Sequence, residues 1–362
     1  MTATAAPGAR RAAVIGTGLI GGSIGLALRE RGWHVTGCDR DPKRQQRALE
    51  LGALDAIGTD PAADVTFVAT PAGAATAAAA AALAQVGPGA AVTDVAGVKS
   101  PIVAAMADPR FVGGHPMAGS EQEGVDGADS NLFEGATWVL TPTETTDPES
   151  YAQVLAVVSS LGAVVVAMPA ARHDEMVAMV SHVPHLTAAA LMTLAADAAA
   201  EHATILRLAA GGFRDMTRIA AGHPGIWPDV CIDNRAAITH SLDELLGAVG
   251  ALRTMVAEED RAGLLAVLSR ARDARLNLPA RALHPDELAE LRVPVPDRPG
   301  VLAEVTTVLG ERSVNIYDLE IVHSAEGPRG VLVMAVDKAQ AEVAAAALTG
   351  LGYHPALRPL AP

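Results

Sequence analysis

Cysteine is nearly absent from this chain: Cys38 and Cys231 are the two among 362 residues, and they lie far apart. No disulfide framework follows, and a reducing, cytoplasmic setting is expected. Positive charge is also short, with 27 Lys and Arg against 41 Asp and Glu, a formal net charge of −14. No basic stripe offsets the acids, which excludes nucleic acid as the main partner. It does not exclude an anionic small substrate, because one local arginine decides that. Long apolar runs are missing as well. "MTATAAPGARR" has no apolar core before Ala12, so no signal peptide is expected. The low-complexity stretch "AGAATAAAAAALA" (72–84) is too short and too weakly apolar for a membrane span. It reads as an alanine-rich helix between two strands. Aromatic residues amount to only 3%, yet half of the chain is apolar and mean hydropathy is +0.27, which excludes disorder for most of the length. Such a length suffices for two or three domains with cores of their own.

The first half alternates between two periodicities. "AAVIG" (12–16), "HVTGCD" (34–39), "VTFVATP" (65–71), "AAVTDV" (90–95) and "RFVGGHP" (110–116) read as strands. "SIGLALRERG" (23–32) and "PKRQQRALELG" (42–52) read as helices stopped by glycine. "TWVLTP" (137–142) and "AVVVAM" (163–168) complete the series. This alternation predicts a doubly wound parallel sheet with helices on both faces, over residues 10–169. From 170 to 285 strand signals vanish and apolar residues recur at helical spacing, which predicts an all-α domain suited to a dimer interface. From 288 to 362 the order strand, helix, strand, strand, helix, strand predicts a ferredoxin-like domain.

"GTGLIG" (16–21) fits G-x-G-x-x-G, follows a strand and opens a helix. Gly16 permits the tight turn, Gly18 lets a pyrophosphate approach the helix N-terminus, and Gly21 allows close helix–strand packing. Asp39, at the end of the next strand, would accept hydrogen bonds from ribose hydroxyls and repel a 2′-phosphate, which points to NAD. Arg40, Lys43 and Arg44 after it read as a solvated helix start. In "GGHPMAGSEQEG" (113–124), His115 by itself reads as part of a solvated loop. In "GGFRDMTRIA" (211–220), Asp215 and Arg218 lie i,i+3, either as a surface ion pair or as an acid steadying an arginine fork for a carboxylate. In "SHVPHL" (181–186), His182 and His185 sit i,i+3 in a helix bent at Pro184. No Cys or acid stands at matching spacing, so core or pocket-lining histidines are expected and no metal. Trp227, taken alone, is a packing residue.

Together "GTGLIGGS", "TPAG", "TDVAGVKS", "GGHPMAGSE", "SHVPHL" and "GGFRDMTRIA", in that order, resemble the prephenate and arogenate dehydrogenases of tyrosine biosynthesis. The resemblance covers residues 10 to about 285. It implies that His115 hydrogen-bonds the ring hydroxyl of the substrate and takes its proton. A ring hydride then leaves to the nicotinamide and the ring carboxylate leaves as CO2. It implies that Arg218 grips a substrate carboxylate, with Asp215 and Glu121 in the ionic network around it. His182 and His185 would line the pocket, with Trp227 near its mouth. Along the cofactor it implies Leu19, Ile20, Thr70, Pro71 and Asp94 beside the glycines and Asp39. One position departs from the pattern: Gly97 stands where members usually carry a serine whose hydroxyl is thought to help position the histidine. Glycine leaves room for a water there.

The tail, with "VPVPDRPGVLAEV" and "VNIYDLEI", is similar to ACT domains, modules that often bind an amino acid and regulate an attached enzyme. Tyrosine is the expected effector, with Asn315 and Asp318 meeting its ammonium, and a homodimer is the expected assembly. Prephenate and arogenate both remain open as substrate, with prephenate preferred, because Glu121 or Glu123 could favour an ammonium or be consumed by Arg218. Two other readings compete: a different hydroxy-acid or imino-acid oxidoreductase on the same plan, and a non-catalytic amino-acid sensor. The pairing of "HPMAGSE" with "FRDMTRIA" argues against the first, and His115, Arg218 and the full glycine fingerprint argue against the second, which only Gly97 favours.

Overall fold

The structure is a computed structural model, and it describes residues 10–119, 122, 124–201, 204–277, 288–296, 298–323 and 329–359. The chain divides into two compact units, Met1–Val249 and Gly250–Pro362.

The first unit is built on an eight-stranded sheet. Its strands are β1 (Arg11–Ile15), β2 (His34–Cys38), β3 (Ala56–Ile57), β4 (Val65–Val68), β5 (Ala91–Asp94), β6 (Phe111–Pro116), β7 (Thr137–Thr141) and β8 (Val164–Ala167). The order is β3-β2-β1-β4-β5-β6-β7-β8. Five helices belong to it: α1 (Leu19–Glu30), α2 (Pro42–Glu50), α3 (Ala72–Leu83), α4 (Ser100–Ala105) and α5 (Pro148–Ser160). Local chemistry marks their ends. Asp41 and Asp147 cap α2 and α5 by accepting the Lys43 and Ser150 N–H groups, each followed by a proline at the first helical position. Gly32 and Gly52 close α1 and α2 with φ of +80° and +79°, where a side chain would be strained.

The strands pair in parallel except for β6 with β7. This departs from the all-parallel expectation. The described part of the connection between them holds only a single short helical turn, Val125–Gly127, instead of a crossover helix, so β7 returns antiparallel. The core is dominated by aliphatic side chains, with Trp138 edge-on to Phe67 and tilted against Phe133 at centroid distances of 6.4 and 5.0 Å.

Chain order reverses between β1 and β4, which opens a crevice at the carboxyl ends of these strands. Beyond the sheet the chain is mostly helical over the described residues up to 277. It runs through α6 (Ala170–Val177), a π-helical turn (Ala178–His182), α7 (Val183–Glu201), α8 (Gly211–Thr217), α9 (Trp227–Asp233), α10 (Arg235–Ala257) and α11 (Arg261–Leu276). The division between the units falls inside α10.

The remainder of the second unit has β9 (Leu288–Pro296), α12 (Val301–Glu311), β10 (Ile316–His323), β11 (Arg329–Asp337), α13 (Ala341–Gly350) and β12 (Ala356–Pro359). Its antiparallel sheet has the order β10-β11-β9-β12 around its own apolar core. This is the split βαβ arrangement expected from the element order.

Candidate active site

The glycine fingerprint sits where β1 turns into α1. A Cβ on Gly16 would stand 2.4 Å from the Ala69 carbonyl oxygen, and one on Gly21 would stand 1.9 Å from that of Gly16. Both positions are closed to any side chain. A Cβ on Gly18 would meet nothing within 4 Å, so the space in front of α1 is clear. Gly18 is the N-cap and no side chain caps the helix, which leaves the first turn, with Leu19 and Ile20, open to an anion. Across the crevice, the Thr70 hydroxyl is buried without a hydrogen-bond partner among the described residues, and Pro71 starts α3. Clear space, an uncapped helix start and an unsatisfied hydroxyl together fit a dinucleotide.

Asp39 follows β2 and turns back to the same loop. Its carboxylate accepts the Thr17 N–H at 2.8 Å and the Asp41 N–H at 2.9 Å. It braces the glycine turn and remains partly exposed at the edge of the crevice. Asp94, expected along the cofactor, ends β5 with its side chain turned inward. Its carboxylate is fully buried, bonded to Lys99 Nζ and accepting the Ala96 and Gly114 N–H groups. Every one of these bonds points into the protein, so Asp94 supports the strand that bears His115. Lys99 Nζ also donates to the Gly114 carbonyl at 2.7 Å. Burial pulls the Lys99 pKa down and the Asp94 carboxylate pushes it back up. Leaving either charge unpaired here would cost about 3–5 kcal/mol.

His115 lies inside β6, paired with Val139, not on a solvated bend. The glycine before it is a packing requirement: a Cβ on Gly114 would come within 2.7 Å of the Asp94 carbonyl oxygen. The His115 ring is therefore held by a strand. Its Nδ1 is 2.8 Å from His173 Nε2. His173 Nδ1 is in turn 2.8 Å from Asp174 Oδ1. Asp174 also accepts the backbone N–H groups of Lys99 and Ser100 at 2.8 and 2.7 Å, which ties α6 to the start of α4. On the other side of the ring, a Cβ at position 97 would lie 3.8 Å from His115 Nε2. Gly97 thus faces the nitrogen that His173 does not touch.

Charge follows from this geometry. Burial first, then His173, Lys99 and His182, push the His115 pKa well below its ordinary value, and Asp174 pulls it up. His115 is neutral near pH 7. Burial acts to raise the Asp174 pKa, but hydrogen bonds from His173, Ser100 and Lys99 outweigh it and hold the carboxyl below its ordinary value. His182 is pushed down to about 4, mainly by burial.

The π-helical turn between α6 and α7 carries His182 inward, where its Nδ1 accepts from Asn234 Nδ2 at 3.2 Å. Asn234 also donates to the Asp174 carbonyl at 2.8 Å, so one amide joins His182 to α6. The bend expected at Pro184 is this π-turn, a device frequent at functional sites. His185 stacks on Trp227, with ring centroids 3.6 Å apart and 12° between planes. Trp227 also meets His182 edge-on at 6.2 Å. The three rings pack against one another in one wall. Arg218 opens the short helical turn that packs on α7, and both it and Asp215 are exposed. Four residues on, a Cβ at Gly222 would lie 3.7 Å from His185 Cε1, so this turn lies against the same wall. One α9 side chain, Asp229, reaches within 3.7 Å of a Cβ placed on Gly73, at the start of α3 near the cofactor crevice. Glu121 and Glu123 lie outside the described residues. Among the described residues no cluster of His, Cys, Asp or Glu is arranged to hold a metal.

Sequence reasoning missed four polar residues: Lys99, His173, Asp174 and Asn234. The one local signal was the "HD" pair at 173–174, at the start of the helical region. In the second unit, Asn315 and Asp318 are exposed, Asn315 just before the edge strand β10 and Asp318 at a break in its register with β11. The Asp318 carboxylate accepts the Leu319 N–H at 2.9 Å. The start of α12 has no side-chain cap, and Arg298 and Glu304 pair beside it at 2.9 Å.

Comparison with known proteins gives two family matches. Residues 24–224 match the family described as "Prephenate dehydrogenase, nucleotide-binding domain", and residues 289–351 match the ACT domain. The prephenate dehydrogenase of Bacillus subtilis (strain 168) is 35% identical over 333 residues, covering 88% of this chain and 89% of that one. The crystal structure of the A. aeolicus prephenate dehydrogenase in complex with hydroxyphenyl propionate and NAD+ superposes with a TM-score of 0.71 at 29% identity. It covers 75% of this chain and 98% of that one. The Synechocystis arogenate dehydrogenase superposes with a TM-score of 0.65 at 34% identity, covering 73% of this chain and 98% of that one. With the dinucleotide crevice, the strand-held His115 and the matching tail, the chain belongs to the prephenate dehydrogenase family and carries a C-terminal ACT domain.

Proposed function

We propose that this chain is a prephenate dehydrogenase, converting prephenate to 4-hydroxyphenylpyruvate and CO2 with NAD+ in tyrosine biosynthesis. The observation that carries this reading is a neutral, strand-held His115 whose Nε2 faces the space at Gly97. Such a group can accept the ring-hydroxyl proton. Bound NAD+ supplies the acceptor for the hydride. Gly16, Gly18, Leu19, Ile20, Gly21, Asp39, Thr70 and Pro71 would hold it. Arg218 would grip a substrate carboxylate with its planar fork, assisted by Asp215 and Glu121. His182, His185 and Trp227 would wall the pocket. Because the product ring is aromatic, the protein needs mainly to orient the substrate and take one proton. Arogenate is the second reading, favoured by the 34% identity to the Synechocystis arogenate dehydrogenase.

The test is turnover of both substrates, followed by NADH absorbance and CO2 release. NADH formed in step with CO2 is expected, faster with prephenate. Turnover of neither substrate would favour a non-catalytic sensor. NAD+ is expected to outperform NADP+, and Asp39→Ser to narrow the gap by removing repulsion of the 2′-phosphate. Equal use of both cofactors by the unmodified protein would overturn the role given to Asp39.

The assembly we propose is a homodimer through the helical part. Val180, Leu194, Leu208, Ile232 and Leu246 are each about two-thirds or more exposed. Apolar side chains exposed in such number mark an interaction surface. The stretch 170–200 is also long and apolar enough to cross a membrane. It carries His173, Asp174 and His182 into the site, however, and burying such groups in a bilayer is expensive. A second copy is the better cover. Two free thiols, Cys38 and Cys231, suit the cytoplasm.

For the ACT domain we propose tyrosine as inhibitor, its ammonium held by Asn315 and Asp318 and its carboxylate by the N–H groups at the start of α12. Asp318→Ala is expected to raise the tyrosine concentration giving half inhibition several-fold, in line with a coupling of about 1–3 kcal/mol. Activity without tyrosine should not change. Equal inhibition of both proteins would remove Asp318 from the effector site, and equal inhibition of a chain stopped at Leu283 would mean competition at the active site.

A further inference from the structure

His173 and Asp174 are buried behind His115, and proton bookkeeping along them leaves little freedom. An ionised carboxylate can only accept, so His173 Nδ1 carries a hydrogen and donates it to Asp174 Oδ1. With a single proton on its ring, His173 leaves Nε2 bare to accept, and at 2.8 Å its partner is His115 Nδ1. His115 Nδ1 therefore carries the hydrogen and Nε2 carries the lone pair. Three further contacts keep Asp174 in place: the Lys99 and Ser100 N–H groups on its carboxylate, and Asn234 on its backbone carbonyl. On the far side of the ring, position 97 is glycine, so no side chain there competes for Nε2.

We propose that His173, backed by Asp174, is a positioning residue that fixes His115 in its Nδ1–H tautomer and so keeps Nε2 as the proton acceptor facing Gly97. The arrangement matters because the opposite tautomer would present an N–H to the substrate hydroxyl and could take no proton from it. A partner on one ring nitrogen sets the state of the other. When Nε2 gains the substrate proton, the His115 cation keeps its Nδ1–H on His173 Nε2, and no covalent bond along the chain needs to break. In this chain the role of orienting His115 thus falls to α6, behind the ring, and not to a hydroxyl at position 97. The role rests on the dehydrogenase reading above, but the tautomer is a property of the protein without substrate.

Two measurements test this. The first is long-range proton–nitrogen NMR of the ligand-free full-length protein labelled with 15N-histidine, at neutral pH. His115 is assigned by the resonance lost in His115→Asn. His115 is expected to show a protonated Nδ1 and a bare Nε2. An Nε2–H tautomer in the unmodified protein would overturn the proposal, whatever the variants do. The second is kinetics on the full-length protein. His173→Ala is expected to lower kcat about 10- to 100-fold, as loss of an orienting partner does elsewhere, with KM for substrate and NAD+ within about threefold. His173→Gln, whose amide oxygen can accept from His115 Nδ1, should recover most of that loss. A kcat within about twofold of wild type in His173→Ala, or an equal loss in both variants, would show that His173 is only packing. An unmodified protein with the expected tautomer but no turnover would sink the dehydrogenase reading and leave the tautomer standing.

Discussion

His115→Asn is expected to lower kcat by about two to four orders of magnitude, with substrate KM within about threefold of wild type. Asparagine keeps a polar group of similar reach in β6 but cannot take a proton near neutral pH. The lost interaction develops as the hydride leaves, so it belongs to the transition state and the loss falls on kcat. The neighbours make the expectation sharper. Burial first, then His173, Lys99 and His182, push the His115 pKa well below 6.5. A protonated His115 cannot act as base, so activity is full above its pKa and lost as pH falls through it. The plateau of kcat/KM should therefore extend to pH values below 6.5 in the unmodified protein, and the acid limb due to His115 should vanish in the variant. Near-normal turnover in His115→Asn would remove this residue from the reaction.

Arg218→Ala is expected to act on the other parameter. Arg218 stands on the turn that packs against α7, close in sequence to Gly222 over the His185 ring. A charge-assisted, two-pronged contact to a carboxylate left unmade costs about 1.5–3 kcal/mol, or roughly 10- to 150-fold in KM. The contact exists before and during the reaction alike, so kcat should change much less. Arg218→Lys should fall between the two, since an ammonium keeps the charge but loses the planar fork. A KM within about twofold of wild type in the alanine variant would leave Arg218 with a surface role only.

Much of this molecule was legible in the amino-acid sequence because its signals are local. The glycines at 16, 18 and 21 mark a turn from strand to helix, and the structure shows side chains excluded at the first and third. Strand and helix periods alternate up to residue 168, the strand period vanishes through the helical stretch, and both return in the order β9, α12, β10, β11, α13, β12. Capping aspartates, glycine stops and apolar spacing act over a few residues, so the chain alone determines them.

The surroundings of His115 are of another kind. In sequence it ended the strand reading of 110–116 and, taken alone, looked solvated; in three dimensions β7 pairs antiparallel with β6 at this position and the residue is half-buried. Asp94 looked like a cofactor ligand and is instead paired with Lys99 beneath Gly114. His173 and Asp174 lie 58 or more residues from His115, on a helix of a different region, and no spacing rule connects them. Their hydrogen bonds depend on how α6 docks on β6 and α4. That docking is set by burial of apolar surface, which is non-directional and spread over many side chains. Local sequence thus decided which elements form and where the cofactor turn lies. Only tertiary packing decided which nitrogen of His115 meets His173 and which faces Gly97.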